Sequence, residues 1–207
     1  MIHTDTISPK MHEIDRMIYA RLDSDYYLAG GTALSLRIGH RESVDLDYFI
    51  AQHIDTVKLK GILSELFPGI MFTYEDVDTL WCSIDGVKVS FISRLTSMID
   101  AVQDEDGFRI ASLQDLVIMK LSAVCGRDEY KDYYDLAELS SLTDGRTWPA
   151  LWGAVYPESD PISWIVALSH VGSVAPIPLR GKELQTNEVV EKKILNLVKE
   201  LSPFVGE

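Results

Sequence analysis

Two aspartates, Asp45 and Asp47, stand two apart in the run VDLDYFI at 44–50. Alternate residues of a strand project from one face, so this spacing sets two carboxylates a few ångströms apart. Such a pair is costly unless a cation lies between them, and magnesium with oxygen ligands is the natural candidate. Two-metal phosphoryl chemistry uses acid pairs of this kind to activate an attacking oxygen and stabilise a leaving one. Upstream, the apolar run YYLA at 26–29 ends abruptly in Gly30-Gly31-Thr32. Glycine lets backbone N–H groups approach a phosphate closely, and a helix starting there adds favourable partial charge. Thr32 can donate a hydroxyl to the same oxygens. Taken alone, each half has an ordinary reading: a solvated strand face, a plain turn. Strand, glycine pair, helix and acid-x-acid strand in that order are far more specific. The pattern is not a P-loop, because GxxxxGK[ST] is absent.

A second group lies later in the chain: Met119-Lys120-Leu121, Arg127, then Lys131-Asp132-Tyr133-Tyr134-Asp135-Leu136. Lys120 interrupts an apolar helix face, where a lysine either snorkels to solvent or serves a phosphate. Lys131 and Asp135 are four apart and share a helical face, which by itself reads as an ordinary ion pair.

The elements that must position these residues follow from pattern. Ser8-Pro9 caps a first helix, with Met11, Ile14, Ile18 and Leu22 at helical spacing. Helices are expected over 32–38 and 57–67, and strands over 44–50, 70–74, 80–84 and 87–92. Asp85-Gly86 is a two-residue hairpin signal. The polar segment 103–107 breaks the pattern. Ser112 with Asp115 fits a capping box ahead of a helix. Further helices are expected over 130–142 and 187–201, with short helical pieces around Trp148, Trp152 and Trp164. The three tryptophans read as packing residues. Cys82 and Cys125 read as small hydrophobes.

The chain has 207 residues, with 32 acidic against 19 basic side chains and a formal charge of −13. At roughly 150 residues per domain, this is one large domain or one domain with a helical extension. Hydrophobic residues at 46% exclude wholesale disorder, and two cysteines exclude a disulfide scaffold. A reducing cytoplasm is the expected location. The N-terminus MIHTDTISPKMHEIDR lacks an apolar core, so no signal peptide is expected, and no apolar run approaches the ~20 residues of a membrane span. The acidic balance repels polyanions on average, so nucleic-acid contact requires a local basic patch, and it makes a basic protein partner plausible.

GGTALSLRIGHRESVDLDYFI resembles the first motif of the DNA polymerase β-like nucleotidyltransferases. The fuller pattern adds Arg41 and Ser43 ahead of Asp45-Leu46-Asp47, Ser112-Leu113-x-Asp115, Met119-Lys120-Leu121 and Arg127-x3-Lys131-Asp132-x2-Asp135-Leu136. It is similar to the AbiEii/AbiGii toxin family of abortive-infection and type IV toxin–antitoxin systems, over about residues 27–142. The resemblance implies an α+β, polymerase β-like nucleotidyltransferase fold, a small mixed sheet flanked by helices. The core would be residues 1–108, with a helical C-terminal region, 109–207, packed on it. It implies transfer of a nucleotide from a nucleoside triphosphate to an acceptor, tRNA for some members, with Mg2+ and a cognate antitoxin protein as partner. Carried over, Gly30, Gly31 and Thr32 would hold triphosphate with Arg41 and Ser43, and Asp45 and Asp47 would bind magnesium. Lys120 and Lys131 would contact phosphates or balance the acids, and Asp135 would sit near the acceptor hydroxyl or orient Lys131. Many such enzymes place a third carboxylate on a later strand. Here Ser90 stands at that place, which leaves open a degenerate fold acting as a non-catalytic nucleotide- or protein-binding module.

Overall fold

The computed structural model describes residues 2–204. They form two compact units: 2–97 with 101–112, and 98–100 with 113–204. The first unit contains a seven-stranded mixed sheet in the order β3-β4-β5-β2-β1-β7-β6. Its elements are α1 (Pro9–Arg21), β1 (Tyr27–Leu28), α2 (Gly30–Ile38), β2 (Asp45–Ile50), α3 (Thr56–Leu66), β3 (Met71–Asp76), β4 (Thr79–Ile84), β5 (Val87–Ser93), β6 (Gln103–Glu105) and β7 (Phe108–Ile110). The pairs β2–β5 and β1–β7 are parallel and the others antiparallel.

Alternation along the strands separates the two faces of this sheet. Leu46, Tyr48 and Ile50 of β2, Leu80, Cys82 and Ile84 of β4, and Val89 and Phe91 of β5 are buried. Their face receives α1, where the Tyr48 hydroxyl donates to Asp15 Oδ1 at 2.7 Å, and α3, where Lys60 stands over the Phe72 ring and reaches Glu75 at 2.8 Å. Asp45 and Asp47 project from the other face and are half-buried. There α2 runs toward β6 and β7, with Arg37 reaching Glu105 at 2.9 Å and Gln103 at 2.6 Å.

Local chemistry sets the ends. Ser8 accepts from the Met11 N–H at 3.1 Å with Pro9 at the first helical position, a cap of about 1 kcal/mol. The 85–86 turn takes φ of 50° and 84°, as an Asp-Gly hairpin requires. The segment 103–107 is not a break in the pattern. Its first residues are β6, and Asp106-Gly107 turns into β7 with φ of 52° and 83°. Since β7 lies in the sheet beside β1, the sheet unit runs to Ser112 rather than stopping at 108.

The second unit is helical: α4 (Leu113–Gly126), α5 (Tyr130–Leu142), α6 (Trp148–Val155), α7 (Ile162–Ser169) and α8 (Asn187–Leu201). Val190, Ile194, Leu197 and Leu201 form the buried stripe of α8, and Trp148, Trp152 and Trp164 are buried packing residues. Residues 98–100 join this unit through Asp115, whose carboxylate accepts from the N–H of Ile99 at 2.8 Å and of Asp100 at 3.2 Å. No described helix is long and apolar enough to cross a membrane.

Candidate active site

The sheet unit gathers Gly30, Gly31, Thr32, Arg41, Ser43, Asp45 and Asp47 at the junction of β1, α2 and β2. Each glycine has its own reason to be there. Gly30 opens α2 at φ 66°, the left-handed region that side chains rarely adopt, and a Cβ there would stand 3.0 Å from Asp47 Oδ2. A Cβ on Gly31 would run into the buried guanidinium of Arg41. The missing side chains thus let one carboxylate and one guanidinium close on the N-terminus of α2, where free N–H groups and the helix dipole favour an anion.

Hydroxyls orient the carboxylates. Thr32 Oγ1 donates to the backbone carbonyl of Asp45, lies 2.7 Å from Ser43 Oγ and 3.4 Å from Asp45 Oδ1. Ser43 Oγ is also 3.4 Å from Asp45 Oδ1. Thr32 and Ser43 are both buried. Their hydroxyls therefore position Asp45. Across the parallel pairing, Ser90 stands in register with Asp47 and donates to its Oδ1 at 2.5 Å. The strand position expected for a third acid does face the site, and it supplies a hydroxyl. Asp85, in the turn, pairs instead with Lys10 at 3.3 Å. Among the described residues, no three His, Cys, Asp or Glu side chains are grouped to hold a metal.

The helical unit holds the second group, differently arranged from the sequence expectation. Lys120 Nζ lies 2.7 Å from Asp132 Oδ1 and 2.6 Å from Asp135 Oδ2, with both carboxylates fully buried and the lysine 4% exposed. Arg127 Nε reaches Asp132 Oδ2 at 2.8 Å. Burial would push Asp132 up, but Lys120 and Arg127 outweigh it and hold the carboxyl below its ordinary value. Asp135 therefore meets Lys120 rather than orienting Lys131. Lys131 pairs with Glu129 at 2.9 Å and keeps about a third of its side chain exposed. Asp132, given no role in the sequence reading, is the centre of the cluster. Its partner Lys120 lies twelve residues earlier, a spacing that no single-helix periodicity reveals.

Neither cysteine is poised as a nucleophile. Burial pushes the Cys82 thiol to about 12, and it also raises Cys125.

Known proteins resemble this chain in sequence and in fold. Residues 15–79 match the family described as nucleotidyl transferase AbiEii toxin, type IV toxin–antitoxin system. An uncharacterised protein of Aquifex aeolicus is 32% identical over 127 residues, a match spanning 59% of this chain and 61% of that protein's length. A Helicobacter pylori structure described as a nucleotidyltransferase candidate superposes with a TM-score of 0.57 at 19% identity, covering 93% of each chain. JHP933 from the same species gives 0.50 at 20% identity over 95% of each chain. The chain accordingly has the nucleotidyltransferase fold, and its residues 15–79, which carry the glycine pair and both aspartates, match the AbiEii nucleotidyltransferase-toxin family.

Proposed function

We propose that the protein transfers a nucleotidyl group from a nucleoside triphosphate to an acceptor hydroxyl, with Mg2+. The observation that carries this reading is the placement of two hydroxyl-oriented carboxylates on one sheet face, beside a helix N-terminus stripped of side chains. In the reaction the acceptor oxygen bonds to the α-phosphorus and the bond to the bridging oxygen breaks. Pyrophosphate leaves with that electron pair, and the hydroxyl proton passes to solvent.

The donor set fits magnesium: two hard carboxylates on one face, with substrate phosphates and water able to complete an octahedron. When bound at Asp45 and Asp47, the ion supplies charge neutralisation for the phosphates. The N–H groups of α2 and the Arg41 guanidinium hold the triphosphate, while Ser43, Thr32 and Ser90 fix the carboxylates. Catalysis on this reading is positioning and electrostatics, with no covalent intermediate. Lys120 and Asp135 contribute through the folded helical unit. The family match over residues 15–79 supports a toxin of a type IV toxin–antitoxin system with a cognate antitoxin, and on this reading tRNA is an acceptor and the cytoplasm the setting.

The test is labelled-nucleotide transfer, together with thermal stability against each nucleoside triphosphate with and without Mg2+. At a hundred times its Kd, a nucleotide stabilises by about 2.7 kcal/mol. Asp47→Asn is expected to abolish the Mg2+-dependent shift and lower transfer at least a hundredfold, as loss of a key electrostatic group does. Its unliganded melting temperature should not change. Transfer at wild-type rate in this variant would refute the reading.

Ser90 favours a second reading, a non-catalytic nucleotide-binding module. Ser90→Asp separates the two by placing a third carboxylate in register with Asp47. If the natural site is catalytically complete, the added like charge lowers or leaves the transfer rate. A rate appearing only in Ser90→Asp would identify the natural protein as a binding module.

A further inference from the structure

The sheet face that carries the two acids continues beyond them, and the register shows what it presents. Asp47 pairs with Ser90, Ser90 with Trp81, and Trp81 with Tyr74, so one row crosses β2, β5, β4 and β3. Partners in register share a face. The Ser90–Asp47 hydrogen bond and the Tyr74–Trp81 ring contact, 4.8 Å between centroids, confirm this at both ends. Trp81 is 47% exposed and Tyr74 44%. A tryptophan lying open in a sheet is a large apolar surface left to water. The Tyr74 hydroxyl donates to Asp76 at 3.1 Å, which anchors its ring. The α2 helix covers the β7–β6 side of this face and leaves the β5–β4–β3 side to the aromatic pair.

Direction follows from the chemistry. The triphosphate site at the start of α2 lies on the β1 side of β2, and β5, β4 and β3 lie on the other side. In-line displacement puts the attacking oxygen opposite the leaving pyrophosphate. The acceptor therefore arrives over β5 and β4, where Trp81 stands two strands, or about 10 Å, from Asp47.

We propose that Trp81, with Tyr74, stacks the terminal base of a single-stranded RNA 3′ end and thereby presents its sugar hydroxyl to the nucleotide held at Asp45 and Asp47. This rests on the nucleotidyltransferase reading and names the acceptor's seat within it. Charge favours a terminal base over a long tract. Lys88 is exposed on the same face, in the Asp45 row, whereas Asp76 adjoins Tyr74 and the chain carries −13 overall. Recognition through a ring face tolerates such surroundings better than recognition through many phosphates.

Of the four tryptophans in the sequence, Trp148, Trp152 and Trp164 are buried, so quenchable emission reports Trp81. The full chain is titrated with a short single-stranded RNA, with the same RNA bearing an abasic 3′ terminus, and with Mg2+–nucleoside triphosphate alone. The intact RNA is expected to quench Trp81 emission, and the abasic RNA to bind about tenfold more weakly. Trp81→Ala should raise the KM for RNA about tenfold with little change in kcat, Trp81→Phe should recover most of it, and the Mg2+–nucleotide thermal shift should stay unchanged. Equal quenching by the abasic RNA, or an unchanged KM in Trp81→Ala, would overturn the proposal. Quenching by the triphosphate alone would also overturn it, by seating the donor's base there. An Asp47-dependent nucleotide shift without RNA quenching removes this proposal and keeps the nucleotidyltransferase reading. Absence of any nucleotide shift removes both.

Discussion

Three settings of aspartate invite comparison in this molecule, and those of the two units differ most. In the helical unit, Asp132 and Asp135 are fully buried around Lys120. In the sheet unit, Asp45 and Asp47 stay half-buried and take hydroxyl donors. A carboxylate sealed against an ammonium has its charge answered inside the protein, and a ligand cannot use it without breaking the pair. A half-buried carboxylate with hydroxyls among its partners stays within reach of whatever binds at the sheet face. Asp15 is the third case, buried on the inner face of α1 with the Tyr48 hydroxyl on one oxygen and no hydrogen-bond partner on the other. Burial pushes it up to about 6, against the pull of Tyr48 and Arg109.

The largest expected effect tests the sealed cluster. Lys120→Met removes the ammonium from between two buried carboxylates and should cost about 3–5 kcal/mol, read by urea denaturation at pH 7. A loss below about 1 kcal/mol would show that the cluster does not support the helical unit.

Next comes the pH dependence of Asp15. The folded chain holds this proton more tightly than the unfolded chain, whose ordinary value is 3.8. Its contribution is therefore full below pH 4 and is lost as pH rises through 6, by about 3 kcal/mol in all. Asp15→Asn should exceed the wild type by up to that amount at pH 7 and match it below pH 4. Asp132, held low, has the opposite sign, with stability present above its ordinary value and lost as pH falls through its depressed one. Denaturation of both proteins between pH 4 and 8 reads the difference.

The smallest effect sharpens the contrast within one helix. Lys131→Ala breaks an exposed pair with Glu129 and should change stability by less than about 0.5 kcal/mol. A loss above about 1 kcal/mol, read by urea denaturation at pH 7, would show that this exposed pair supports α5.

Much of the site in the sheet unit was legible in the sequence because its logic is local. A two-residue spacing fixes the face of Asp45 and Asp47, and a glycine pair before an apolar helix fixes its start. The expectation for Ser90 was also sound as to place, since a strand returning through Asp85-Gly86 must bring its residues beside the preceding ones. What escaped depended on partners distant in the chain. The β6–β7 hairpin carried a readable Asp-Gly at 106–107, but its strands of three residues are too short for alternation to show. The pairing of Lys120 with Asp132 and Asp135, rather than Lys131 with Asp135, is set by how two helices pack. The row from Asp47 to Trp81 exists only once the order of strands is known.

The sheet has a consequence for the chain as it is synthesised. β1, central beside the site, gains its parallel partner β7 only when residues 108–110 have been made, and β2 gains β5 only after residue 93. Between those strands the chain visits the helical unit at 98–100, anchored by a carboxylate at 115. A nascent or prematurely ended polypeptide reaching only residue 79 would hold both aspartates and the glycine pair but lack β5 beside β2 and β7 beside β1. The assembled sheet around Asp45 and Asp47 is thus withheld from incomplete translation products until more than half of the chain has been made.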